Sequence, residues 1–158
     1  MNIVLIGYRC SGKTHVGRLL TGDLDVAFLD TDILIEEKAG IPIPSYVSRY
    51  GWRDFRRVER AVIEEIASKD NSVIATGGGV VMDPENVMNL RRNGWVVWLA
   101  AGAKAIRERM TRAQQEGDFR PPLSGSDPLE EIDSILRERT PAYESASDYH
   151  VWTDGQTP

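Results

Sequence analysis

The strongest chemical signal lies in Gly7-Tyr8-Arg9-Cys10-Ser11-Gly12-Lys13-Thr14, which has the spacing Gly-x4-Gly-Lys-Thr. A phosphate-binding loop requires that spacing at the joint between a strand and a helix. Gly7 and Gly12 permit backbone angles closed to other residues, so the loop can curl and turn successive amides toward an anion. A helix starting near Lys13 adds the partial positive charge of its N-terminus. Lys13 is expected to reach the β- and γ-phosphates of ATP, and the Thr14 hydroxyl to ligate Mg²⁺. Cys10, the one cysteine of the chain, rules out an internal disulfide and is read as a small residue fitting the turn. His15 follows directly and shares no metal-ligand spacing with His150. It is read as structural, and counts with the nucleotide-contacting stretch by position alone.

Three further groups extend the chemistry. Asp30 and Asp32 follow the apolar run Val26-Ala27-Phe28-Leu29 and are two residues apart. One is expected to hold Mg²⁺, directly or through water, and the other to orient or deprotonate an attacking hydroxyl. Turn chemistry and helix capping account for Asp32 better than for Asp30, which has no evident capping role. Gly77-Gly78-Gly79 follows Val73-Ile74-Ala75 and allows a polar ligand to approach bare backbone. Arg53, Arg56, Arg57 and Arg60 crowd one helix, mostly as a solvated face. Arg56 with Glu59 one turn on is different, because an Arg held by a Glu is a preset fork for a carboxylate. Arg120 in a Gly/Pro-rich loop and Arg139 before Thr140-Pro141 are two more cations that a closing lid and its site would need.

Short apolar runs alternating with amphipathic patterns must position these groups. Strands are expected at 2–6, 26–29, 73–75, 95–99 and 149–152. Helices are expected at 13–21, 33–38, 46–50, 52–68, 84–92, 104–115 and 129–139. Gly22, the pair Pro42 and Pro44, and Thr140-Pro141 are read as breaks. This is an α/β pattern with a parallel sheet covered on both faces. Ligands in such sheets sit at the carboxyl ends of the strands. The phosphate loop, the Asp pair and the triple glycine all fall there.

Composition narrows the partners. The chain has 158 residues, 41% hydrophobic and 27% charged, with net charge −5. One domain of ordinary size is expected. The acidic balance argues against a general nucleic-acid binder. No apolar stretch reaches bilayer-spanning length and no signal peptide is evident. A cytoplasmic monomer acting on small molecules is expected.

In the same order the chain resembles shikimate kinase, a small relative of the nucleoside monophosphate kinases. The resemblance rests on Gly7–Thr14, Asp30-Thr31-Asp32, Gly51-Trp52 with Phe55-Arg56 and Glu59, Gly77-Gly78-Gly79, Arg120-Pro121 and Arg139-Thr140-Pro141-Ala142-Tyr143. It implies a three-layer P-loop kinase fold with a five-stranded parallel sheet of order 2-3-1-4-5 and a mobile lid. It implies one domain over 1–158, with the substrate-binding region at about 32–60 and the lid at about 114–125. The implied reaction is phosphorylation of the 3-hydroxyl of shikimate by ATP, on the way to chorismate and the aromatic amino acids.

The resemblance also assigns roles. Lys13, Asp32 and Arg120 would be catalytic, with Asp32 as base. Gly7, Cys10, Ser11, Gly12, Lys13, Thr14, His15, Arg112 and Arg120 would contact the nucleotide, with Arg112 against adenine. Asp32, Phe55, Arg56, Gly77, Gly78, Gly79, Arg120 and Arg139 would contact shikimate, whose carboxylate Arg56 and Arg139 would clamp. Thr14 and Asp30 would hold Mg²⁺.

Two departures stand out. The lid has Arg120-Pro121-Pro122-Leu123 where the family usually has Arg-Pro-Leu-Leu, which is expected to stiffen it or alter closure. The family's last helix is absent after Asp154–Pro158, so shikimate binding is expected to hold better than ATP binding. Two other functions fit the same residues. One is a related kinase for another small hydroxyl substrate, such as gluconate or a nucleoside monophosphate. The other is a kinase-like module that holds nucleotide without turnover.

Overall fold

Val4 and Ile6 point to one face of the first strand and Ile3 and Leu5 to the other, and both faces are covered. The strand, β1 (Asn2–Ile6), is the centre of a five-stranded sheet in this computed structural model, which describes residues 1–117, 121–123 and 127–156. The other strands are β2 (Ala27–Asp30), β3 (Ser72–Ala75), β4 (Gly94–Ala100) and β5 (Tyr149–Trp152). Their order is β2-β3-β1-β4-β5 and every pairing is parallel. The expected order and parallel sense are those observed.

Among the described residues six α-helices lie between the strands: α1 (Lys13–Leu24), α2 (Thr31–Ala39), α3 (Ile43–Ala67), α4 (Pro84–Arg92), α5 (Ala103–Gln115) and α6 (Ile132–Ala146). Val4, Ile6, Ile74, Val96 and Trp98 pack with Phe55, Val62 and Ile63 of α3, Leu90 of α4 and Tyr143 of α6. On the opposite face Leu5, Val73, Val97 and Leu99 pack with Val16 and Leu20 of α1. A third cluster joins Tyr8 of the phosphate loop to Ile106 and Met110 of α5 and to Ile132 and Ile135 of α6. Burial on two faces explains why these strands read as apolar runs rather than as alternating ones. Among the described residues no helix is long and apolar enough to cross a membrane.

Several boundaries differ from expectation. Gly22 does not stop α1, which runs on to Leu24 and ends where Asp25 takes a left-handed conformation. Pro42 and Pro44 start α3 instead of breaking the chain, because Pro42 is its N-cap and Pro44 lies in the first turn. That placement uses the missing N–H where no intrahelical bond is lost. The two helices expected at 46–50 and 52–68 are continuous except at Gly51, whose φ of 82° and ψ of 167° make a kink. The largest correction is at Pro141, which lies inside α6. The helix continues for a further turn and buries Tyr143 and Ala146. Core burial there outweighs the local penalty of proline.

Candidate active site

Three strand ends open into one cleft of about 490 Å³. Its walls carry Gly12, Lys13 and Thr14 from the phosphate loop, Asp30 and Asp32 after β2, and Gly77, Gly78 and Gly79 after β3. Phe55, Arg56 and Glu59 of α3 and Arg139 of α6 complete the far wall. Cys10 and His15 also line it. Gly7 and Ser11 support the loop from behind. A β-carbon on Gly7 would lie 2.5 Å from the Leu99 carbonyl, and the backbone there has φ 143°. Gly12 takes φ 100° as the N-cap of α1. Both glycines are thus required by the loop's path. Cys10 adopts φ 60°, the left-handed region, which disfavours bulkier replacements.

Lys13 is buried within the loop. Its Nζ donates to the carbonyls of Gly7 at 2.8 Å and Tyr8 at 2.7 Å, and to Ser11 Oγ at 3.4 Å. The ammonium is therefore fixed over the loop by the loop's own backbone carbonyls. Thr14 Oγ1 donates to Asp30 Oδ2 at 2.8 Å. The other Asp30 oxygen accepts from the amide of Asp32 at 3.0 Å, so Asp30 is the N-cap of α2. This corrects the sequence reading, in which capping suited Asp32. Asp32 lies in the first turn of α2, and its carboxylate is free of the capping role. A β-carbon on Gly77 would lie 2.9 Å from Asp32 Oδ1 and 3.2 Å from Glu59 Oε1. The Asp32 carboxylate thus faces bare backbone. The Gly77 amide is held by Thr31 Oγ1 at 2.9 Å.

Two arginines meet the triple glycine from different helices. Arg56 donates to both oxygens of Glu59, at 2.9 and 2.7 Å, from a guanidinium set over the rings of Trp52 and Phe55. Glu59 is only 1% exposed. Burial raises its pKa, and the Arg56 guanidinium opposes that rise. Arg139 is 7% exposed and donates from Nη1 to the Gly78 carbonyl at 3.0 Å. Its Nε is buried without a partner among the described residues.

The short stretch 121–123 is anchored on three sides. The Pro121 carbonyl accepts from Arg9 Nη1 at 3.0 Å and the Pro122 carbonyl from Trp52 Nε1 at 3.1 Å. The Leu123 amide donates to both Glu131 oxygens, at 2.8 and 2.9 Å. Arg120 lies outside the described residues. Arg112 does not line the cleft, and the arginine of α5 that does is Arg109, one turn earlier. Arg109 donates to the Thr153 carbonyl at 2.7 Å and to Thr153 Oγ1 at 3.0 Å. Both residues have helical spacing, so only the packing of α5 against the strand that follows α6 separates them. Tyr143 ends the stretch Arg139–Tyr143 in the sequence reading but is given no role there, because Thr140-Pro141 is read as the end of the helix.

The profile of the family described as "Shikimate kinase" matches residues 9–158. The shikimate kinase of Caldicellulosiruptor bescii is 41% identical over 157 residues, 99% of this chain and 88% of that protein. The shikimate kinase of Symbiobacterium thermophilum is 44% identical over 155 residues, 98% of this chain and 87% of that protein. Among solved structures, the shikimate kinase from Acinetobacter baumannii in complex with shikimate superposes with a TM-score of 0.87 at 34% identity, covering 99% of this chain and 83% of that one. On the profile match and the near-complete coverage of these relatives, the chain belongs to the shikimate kinase family.

Proposed function

We infer that the chain transfers the γ-phosphoryl group of ATP to the 3-hydroxyl of shikimate. The observation that carries this reading is the single cleft in which Lys13, Thr14 and Asp30 face Asp32, the triple glycine, Arg56 and Arg139. Shikimate is a carboxylate bearing hydroxyls. Two guanidinium groups suit its carboxylate, and Asp32 beside the Gly77 backbone suits its hydroxyls. An acceptor lacking a carboxylate would leave both guanidiniums unused, which disfavours simple sugars and nucleosides.

The proposed chemistry follows from position and charge. Asp32 accepts the proton of the attacking hydroxyl as the O–P bond forms. Lys13 stabilises charge on the transferring group and on the leaving ADP. The Thr14 hydroxyl and Asp30 carboxylate are hard oxygen donors 2.8 Å apart and fit Mg²⁺, which takes few protein ligands beside phosphates and water. Mg²⁺ held there would offset the negative charge of the phosphates. Phe55 and Arg56 wall the shikimate side, with Gly78 and Gly79 opposite. Arg120 is assigned to the lid, where it would reach both substrates. On the nucleotide side Cys10, Ser11, Gly12 and His15 frame the loop, and Arg109 takes the adenine-side position first given to Arg112. The chain acts as one domain with an acceptor region near 32–60 and a lid near 114–125.

An ADP-release assay with shikimate, gluconate and nucleoside monophosphates tests the reading. Turnover is expected with shikimate alone and only with Mg²⁺. Lys13→Ala and Asp32→Asn are each expected to lower kcat by roughly 10²–10⁴-fold. Preference for gluconate, or binding of both substrates with no ADP released, would replace this function with one of the other two readings.

A further inference from the structure

The two arginines of the acceptor side are held in different ways. Arg56 has its own carboxylate, Glu59, in a two-bond pair. Arg139 leans instead on a backbone oxygen, the Gly78 carbonyl, at 3.0 Å. That carbonyl has a second donor, the hydroxyl of Tyr143, at 2.5 Å. Tyr143 lies one helical turn after Arg139, so both side chains reach the same atom from one face of α6. The Tyr143 ring is fully buried and stacks on Trp98 of β4, with centroids 5.7 Å apart and planes 19° apart. A rigid line therefore runs from the central sheet through the phenol to Gly78, and from Gly78 to the guanidinium.

We propose that Tyr143 is a positioning residue for the acceptor carboxylate: its hydroxyl pins the Gly78 carbonyl that orients Arg139. The proposal rests on the shikimate reading above. Its physical content is a division of labour. The charge of Arg56 is largely answered by Glu59. Arg139 is held by a neutral dipole and attracts Glu59 less than Arg56 does, so most of its charge stays available to a ligand carboxylate. A neutral anchor orients less firmly than an ion pair. The anchor must itself be fixed, and the Tyr143 hydroxyl fixes it. The same bond sets the Gly78-Gly79 peptide, against which the Arg56 guanidinium also packs. One phenol thus serves both halves of the clamp.

Tyr143→Phe removes only the hydroxyl and keeps the stacked ring. Relative to wild type, the KM for shikimate is expected to rise about five- to tenfold, the effect of one hydrogen bond. The KM for ATP is expected to stay within about twofold of wild type, because the Tyr143 hydroxyl bonds the Gly78 carbonyl and not the Gly7–Arg9 backbone that packs beside Gly78. Amide exchange over 77–82 in the unliganded variant is expected to quicken, while exchange over 2–6 stays as in wild type. A double-mutant cycle with Arg139→Lys, read as shikimate affinity by tryptophan fluorescence, should be non-additive if Tyr143 acts through Arg139. An equal rise in both KM values, strict additivity, or wild-type exchange over 77–82 would overturn the proposal. If the wild-type protein turned over no shikimate, the functional reading would fall. The exchange measurement would still decide whether Tyr143 pins Gly78.

Discussion

Gly79 and Arg56 are packed so closely that a β-carbon on Gly79 would lie 2.2 Å from Arg56 Nη2 and 2.7 Å from its Cζ. No backbone strain explains this glycine, because its φ is −105°. The space is needed by the guanidinium. Gly79→Ala would push Arg56 off Glu59 and out of the fork. Its KM for shikimate should rise about tenfold or more, the scale of a displaced charged hydrogen bond. The Tm should fall as well, because displacing Arg56 leaves the buried Glu59 carboxylate without its guanidinium. Steady-state kinetics with each substrate in turn, beside a melting curve, checks the prediction. A variant with wild-type shikimate KM would show that the fork is not used.

Asp30 does two jobs with two oxygens, and they can be separated. Oδ1 caps α2 and Oδ2 accepts from Thr14. Asn is as good an N-cap as Asp, so Asp30→Asn should fold with a Tm close to wild type. It removes the charge that a hard cation would use. The Mg²⁺ concentration for half-maximal activity is therefore expected to rise about tenfold, the effect of roughly 1.4 kcal/mol. A magnesium titration at saturating ATP measures it. Unchanged Mg²⁺ dependence would remove Asp30 from the metal set and leave it a cap.

Residues whose role is set within a few neighbours were legible in the sequence. Gly7 to Thr14, the Asp pair and the triple glycine each carry their own local geometry, and their place at strand ends follows from the alternation of elements. Arg56 with Glu59 was legible for the same reason, being one helical turn. What was hidden depends on tertiary packing. Pro141 breaks a helix by local rule, yet α6 passes through it because Tyr143 and Ala146 are buried beyond. Arg109 and Arg112 have equivalent spacing, and tertiary contacts with Thr153 and Cys10 set Arg109 at the cleft. The capping role of Asp30 was missed because the helix begins directly at the strand's last residue, with no loop to announce it.

Asn86 predicts a gain in stability. It is fully buried in α4, and neither its Nδ2 nor its Oδ1 has a partner among the described residues. Removing an unsatisfied buried amide and filling its volume with hydrocarbon is favourable. Asn86→Leu, which keeps the branching at Cγ and adds hydrocarbon, should stabilise by about 1 kcal/mol and raise the Tm by about 2–4 °C at this chain length. Asn86 does not line the cleft, so kcat should not change. A lower Tm in Asn86→Leu would show that the amide is satisfied by bound water, which the hydrocarbon displaced at a cost.

Tyr143 predicts a stability loss at high pH. Burial pushes its hydroxyl up to about 12, from an ordinary value of 10.0. A phenol is neutral while protonated, so a raised folded pKa means that the fold favours the protonated form. The associated stability is complete below the unfolded value near 10 and is lost as pH rises through the folded value near 12. A shift of about two units corresponds to roughly 2–3 kcal/mol. Melting curves of wild type should therefore fall between pH 10 and 12 more steeply than those of Tyr143→Phe, which has no proton to lose there. The two curves should run parallel below pH 9. Parallel curves across the whole range would mean that water reaches the Tyr143 hydroxyl, and that Gly78 is less firmly held than its two donors imply.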